Sequence, residues 1–274
     1  MATDPNPTTA GPQAAGPAVG DKPPVQLALW GPSAAGKTVL LAQLYLYMRR
    51  TRVAWEIFPS DKSLDFIRQM RTQMHRQNFF PTATAVGTEE RIVYHFRHRE
   101  SGAKASLAVE DRAGVDFENL QPDAQERLRS AAGLVLLFDP TRNRTQLEIE
   151  VAQTLEDVHV SSGRDVGKDD RPIAACISKA DVLISSAADL ARARDDPDGF
   201  VRERVDSILV DVLERFCSNY RLFPVSAAGL RLRHGVVEPA VFYDENLTPR
   251  IGRSGRPFNL MAPFAWVLDR LTGP

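Results

Sequence analysis

The eight residues GPSAAGKT at positions 31–38 constrain this chain more than any other stretch. They match the spacing G-x-x-x-x-G-K-[ST]. They follow the short apolar run VQLALW and open a segment, Val39 to Arg50, that is rich in Leu, Ala, Tyr and Met and reads as a helix. Strand, glycine loop and helix in that order form a phosphate cradle. Gly31 and Gly36 let the backbone curl, so that N–H groups along Ser33, Ala34, Ala35, Gly36, Lys37, Thr38 and Val39 converge on phosphate oxygens. The N-terminus of the helix adds a favourable dipole. Lys37 is placed to neutralise the β- and γ-phosphates, and Thr38 to offer its hydroxyl to Mg²⁺.

The remainder alternates strands with helices. Residues 1–23 are mostly Pro, Ala, Gly and Thr with almost nothing to bury, and read as a disordered tail. After VAWEIF, the stretch SLDFIRQMRTQMHRQNFF has a helical period and ends at Pro81. From Arg91 the period becomes two: Ile92, Tyr94 and Phe96 share one face, and the chain returns through Gly102 as ASLAVED, a hairpin. GLVLLFDP is an unbroken apolar run, as expected of a strand buried on both faces. A helix over Arg144 to His159 leads to the strand RPIAACISKAD. A single long helix from Phe200 to Asn219 leads to YRLFPVSAAG, and a helix over Asn259 to Leu271 closes the chain. This pattern predicts an α/β fold, a mostly parallel sheet with one antiparallel hairpin strand and helices on both faces. Residues 24–274 then form one domain, with a loop insertion at 230–256.

Ligands in such sheets bind at the carboxyl ends of the strands, so motifs there carry the most weight. D-x-x-G occurs at Asp111 to Gly114 and again at Asp196 to Gly199. The first closes an apolar strand, where Asp111 can reach a water on Mg²⁺ and the Gly114 N–H can approach a γ-phosphate; the second lies in the polar run RDDPDG. K-x-D also occurs twice. Lys168 to Asp170 belongs to a charge run, whereas Lys179 to Asp181 ends the strand IAACIS. A carboxylate at Asp181 can accept from both N1–H and the 2-amino group of guanine, and adenine offers no such pair. Lys179 is expected to lay its stem along the base and reach back to the phosphate loop. Backbone N–H groups of Ser226, Ala227 and Ala228 in VSAAG are candidates to cap guanine O6.

These four segments, in this order, resemble the phosphate loop, D-x-x-G, [NT]-K-x-D and S-A-x motifs of the Ras-like GTPases of the translation-factor class, over residues 25–230. The ending PFNLMAPFAWVLD is similar to that of the bacterial double-GTPase group. The resemblance implies a P-loop G-domain with a six-stranded sheet, bound GTP or GDP, and Mg²⁺ held by Thr38, Asp111 and a switch threonine. It also implies slow hydrolysis in which Lys37, Thr82 and Gly114 take part. Thr82, after Pro81, is the first choice for that threonine, ahead of Thr84 and Thr88. Partners implied are effector and activating proteins, a second GTPase or another copy of the chain. Two departures stand out. Ser178 replaces the usual Asn or Thr before Lys179. Val115 follows Gly114 where the family carries a glutamine that orients the attacking water, so catalysis must come from another residue, an activator or a dimer.

Composition limits the other classes. Basic and acidic residues balance at a formal charge of −1, which argues against coating nucleic acid or anionic lipid. No apolar run approaches the roughly 18 to 20 residues of a membrane span, and the first residues lack the basic stretch and apolar core expected of a signal peptide. Cys176 and Cys217 sit in apolar segments without metal-ligand spacing, and read as free thiols in the cytoplasm. Three functions are therefore weighed: a GTP switch, a GTPase-like module that holds nucleotide without turnover, and an ATP-dependent kinase or motor. The last shares the phosphate loop but gives no reason for Asp181.

Overall fold

The computed structural model describes residues 24–51, 53–81, 90–111, 122–162, 167–234 and 236–273. Its centre is a sheet of seven strands rather than six. They are β1 (Val25–Trp30), β2 (Trp55–Pro59), β3 (Glu90–His98), β4 (Lys104–Asp111), β5 (Gly133–Phe138), β6 (Ile173–Ile177) and β7 (Tyr220–Pro224), in the order β2-β3-β4-β1-β5-β6-β7. The additional strand is β2. Its alternation buries Trp55 and Ile57 and leaves Phe58 out, and it pairs antiparallel with β3 from Trp55 opposite His98 to Pro59 opposite Tyr94. Only β3 runs against its neighbours, as the hairpin pattern predicts. β4, β1, β5, β6 and β7 pair in parallel.

Side-chain alternation divides the core into two layers. Leu27 and Leu29 of β1, with Val135 and Leu137 of β5, face α1 (Lys37–Met48), α2 (Asp61–Arg71) and α8 (Ala262–Thr272). Ala28, Leu134, Leu136 and Phe138 point the other way. They meet α3 (Pro122–Ser130), α4 (Arg144–Ser162) and the run of helices between β6 and β7. Strand β5 is buried on both faces along its whole length. Phe66, Ile67, Met70 and Met74, which share one face at helical spacing, are all buried in the first layer. The Tyr94 hydroxyl donates to the Leu41 carbonyl at 2.7 Å, which keeps this buried polar group paired beneath α1.

The long helix expected over 200–219 is two helices. α6 (Pro197–Arg204) stops where Val205 turns to extended backbone, and the Asp206 carboxylate then accepts from the Ile208 N–H to cap α7 (Ser207–Phe216). A short α5 (Ala187–Asp195) precedes them. The rival Asp196 to Gly199 motif is a cap as well: Asp196 accepts from the Gly199 N–H at 3.0 Å with Pro197 opening α6.

Residues 226–258 fold into short strands. β8 (Ser226–Arg233) pairs with β9 (Val236–Pro239) and β12 (Arg256–Phe258), and β10 (Val241–Tyr243) pairs with β11 (Pro249–Ile251). This module leans on the segment after α2. The Ile251 N–H donates to Asn78 O, and the Arg250 guanidinium sits 3.7 Å over the Phe79 ring.

Candidate functional site

The parallel strands β1, β4, β5, β6 and β7 end on one edge of the sheet, and every candidate segment in the described residues leaves from one of those ends. The rival Lys168 to Asp170 lies before β6, at the opposite edge.

After Trp30 the chain enters the glycine loop. A Cβ on Gly31 would lie 2.5 Å from the Leu137 carbonyl oxygen, so the loop passes over β5 at a distance only glycine permits. Gly36, the residue before α1, has φ 91° and ψ 16°, the left-handed conformation that turns the chain into the helix. Ala34 shares the left-handed region at φ 61°, a strained choice for a residue with a Cβ and typical of ligand-holding loops. No side chain caps α1 and no acidic residue stands in its first turn, which leaves that helix end suited to an anion. Lys37 Nζ donates to Gly31 O at 2.7 Å and Pro32 O at 2.8 Å, so its charge is held inside the loop. Ser33 is exposed and Ala35 buried; Thr38 and Val39 begin α1, half-buried.

At the end of β6, the Ser178 hydroxyl and N–H both point to Phe138 O, at 3.0 and 2.8 Å. Serine in place of Asn or Thr thus clamps the β5 and β6 ends together. Lys179 follows at φ 50° and starts a 3-10 turn, Ala180–Val182, that carries Asp181. The Asp181 side chain is buried at 4% exposure. Its Oδ1 accepts from the Ser226 hydroxyl at 2.5 Å, and that hydroxyl oxygen accepts in turn from the Gly229 N–H at 2.9 Å. Burial pushes the Asp181 carboxyl above its usual range, and the repulsion of Asp139 adds to this, against the Ser226 hydrogen bond and the Lys179 charge. Ala227 and Ala228 continue β8, half-buried.

Lys179 does not reach the phosphate loop. It donates to Asp139 Oδ2 at 2.5 Å, at the end of β5. Asp139 is buried at 2% exposure and also accepts from the Thr141 N–H and hydroxyl. Burial alone would raise its carboxyl, but the bonds from Lys179 and Thr141 prevail and hold it below the usual range. Three residues on, Arg142 Nη2 points at Ser33 O, 3.4 Å away, and Nε lies 3.2 Å from Glu150 Oε1. Asp139 and Arg142 escape the motif reading because neither belongs to one of the four spaced motifs. Their signal is positional: a carboxylate closing a wholly apolar strand, then a base one turn later.

Asp111 is the last residue of β4, paired with Glu90 of β3, so its backbone stands at the same sheet edge. Thr82, Thr84, Thr88, Gly114 and Val115 lie outside the described residues, as does the tail at 1–23. The offered donors, a threonine hydroxyl and an aspartate, are the hard oxygen ligands that suit Mg²⁺ beside phosphate.

The family model described as Double-GTPase 2 matches residues 26–235. The chain belongs to this family. No curated protein matches it.

Proposed function

We propose that this double-GTPase domain binds GTP with Mg²⁺, hydrolyses it slowly to GDP and phosphate, and acts as a switch whose protein contacts follow the nucleotide. The observation that carries the reading is Asp181. A carboxylate this deeply buried is costly unless donors pair with it, and the protein offers it the Ser226 hydroxyl, on Oδ1, and its own backbone N–H. The N1–H and 2-amino donors of guanine complete the set, and adenine has no equivalent.

The other roles follow from position. Backbone N–H groups from Ser33 to Val39 hold the phosphates, with Lys37 neutralising them. Thr38, Asp111 and Thr82 would hold Mg²⁺, which spreads the charge developing on the β- and γ-oxygens. Gly114 offers its N–H to the γ-phosphate. Lys179 lies along the base, fixed by Asp139, while the Ser226, Ala227 and Ala228 backbone caps O6. Valine at 115 cannot orient water, which supports slow turnover. Ordering of the segments around Thr82 and Gly114 by the γ-phosphate provides the switch, read by effector and activating proteins, a second GTPase or another copy of the chain. Among the described residues no helix is long and apolar enough to cross a membrane. Both cysteines are free and buried, as suits the cytoplasm.

The test is GTP and ATP affinity in the wild type and in Asp181→Ala. GTP binding should fall by about a hundredfold, two charge-assisted bonds being lost, with ATP unchanged. Lys37→Ala should weaken both. An equal loss of GTP and ATP in Asp181→Ala, or no loss, rules out guanine recognition. Phosphate release in single turnover separates a switch from a module that only holds nucleotide.

A further inference from the structure

We infer that Arg142 is a built-in arginine for GTP hydrolysis, its guanidinium turning from the wall of the phosphate loop onto the γ-phosphate. Three observations lead there. First, Arg142 touches the cradle itself: Nη2 lies 3.4 Å from the carbonyl of Ser33, the third residue of the loop. Second, its present contacts are poor. The bond to Ser33 is long, and the ion pair with Glu150 brings Nε to 3.2 Å of Oε1 without the alignment of a hydrogen bond. Arg142 Nε and Glu150 Oε2 are both buried and unbonded. A buried donor and a buried acceptor left unbonded each cost free energy, which offsets part of what the ion pair gains by holding the guanidinium where it is. Third, the side chain is one-third exposed, and its fork of donors matches phosphate oxygens. Glu150, from the facing side of α4, keeps the charge near the loop without locking it there.

The chemistry requires no proton from Arg142. Water oxygen bonds to the γ-phosphorus, and the bond to the β–γ bridging oxygen breaks with its electron pair leaving on GDP. The proton of the water passes to the released phosphate. Arg142 donates to oxygens whose negative charge grows along this path, which answers the absence of a glutamine at Val115 with a residue from another loop.

The inference rests on the GTP-hydrolysing reading above, and the test separates the two. Using the full chain, GDP and GTP affinities, single-turnover hydrolysis, and the gain in GDP affinity on adding aluminium fluoride, a mimic of the transferring phosphoryl group, are measured for the wild type, Arg142→Ala and Arg142→Lys. Arg142→Ala should slow hydrolysis by about 10³-fold, keep GDP affinity, and lose the fluoride-dependent gain. Arg142→Lys, whose single ammonium cannot form the fork, should recover only a small part of the rate while folding like the wild type. Hydrolysis in Arg142→Ala within about twofold of the wild type overturns the inference, because a transition-state contact is worth far more. So does a parallel loss of GDP affinity and rate in both variants, which marks a structural strut. A wild type that binds GTP but hydrolyses none overturns it too, whereas a wild type that binds no GTP overturns the function itself.

Discussion

The Ser226 hydroxyl donates to Asp181 across the gap between the ends of β6 and β7, at 2.5 Å, and takes the Gly229 N–H in return. Both side chains are buried, so the pair fixes which way the carboxylate faces. Ser226→Ala removes a hydroxyl donor from a buried carboxylate. It should weaken GTP binding by about tenfold, with ATP unaffected and the fold intact by circular dichroism. Isothermal titration with the two nucleotides reads both numbers, and equal losses would remove Ser226 from base recognition.

The same carboxylate sets a pH dependence. Burial raises Asp181, so the folded protein favours its neutral form at a pH where an ordinary aspartate is ionised. Only the ionised form accepts both guanine donors. The GTP-to-ATP affinity ratio should therefore decline on acidification, beginning above the ordinary aspartate value of about 4. Asp181→Asn should show no such decline. For stability the sign is opposite to that of a paired acid: the contribution of Asp181 is complete below its unfolded value and is lost as pH rises through the folded one. Asp139, held low, contributes above its unfolded value and loses that contribution as pH falls.

Asp157 on α4 gives a cleaner linkage. Its Oδ2 is buried without a partner, and burial together with Glu156 pushes its carboxyl up to about 6. Stability from this group is present below the unfolded value of 3.8 and is lost as pH rises through about 6. Asp157→Asn removes the buried charge, so the variant should melt above the wild type at neutral pH and lose that advantage below about pH 4. Thermal melts across this window decide the matter; a constant difference would mean that the charge is not the cause.

Arg171 carries a structural load at the opposite edge of the sheet. It pairs with Asp169, which is 2% exposed, and donates through Nη1 to Leu128 O and Ala131 O at the end of α3. Truncation leaves the Asp169 carboxylate with only the Arg171 backbone N–H, at 3.0 Å from Oδ1, and no countercharge, and leaves the two carbonyls without this donor. Arg171→Ala should destabilise by about 3 kcal/mol in denaturant unfolding, with Arg171→Lys restoring only part, since an ammonium cannot serve both partners in one plane.

Much of this architecture was legible because local chemistry determines it. A glycine loop between an apolar run and a helix admits few alternatives, and Gly31 and Gly36 occupy the two backbone positions that require glycine. The period-two pattern of Ile92, Tyr94 and Phe96 identifies the hairpin face, and all three are buried. The misses have local causes as well. WEIFP is too short for its alternation to stand out until β3 pairs with it. The cap at Asp206 is one residue in a run that otherwise reads as continuous helix.

The sequence by itself determined the phosphate loop, the parallel α/β class and the acids at strand ends, because these depend on spacing along the chain. Tertiary structure alone decided what those acids face. Lys179 turns to Asp139, Ser226 to Asp181 and Arg142 to Ser33, pairs separated by 40, 45 and 109 positions. Each side chain could reach several partners in an unfolded chain. Only the parallel pairing of β1, β5, β6 and β7 sets their ends side by side at strand spacing, and the cost of burying an unpaired charge then selects which of them bond.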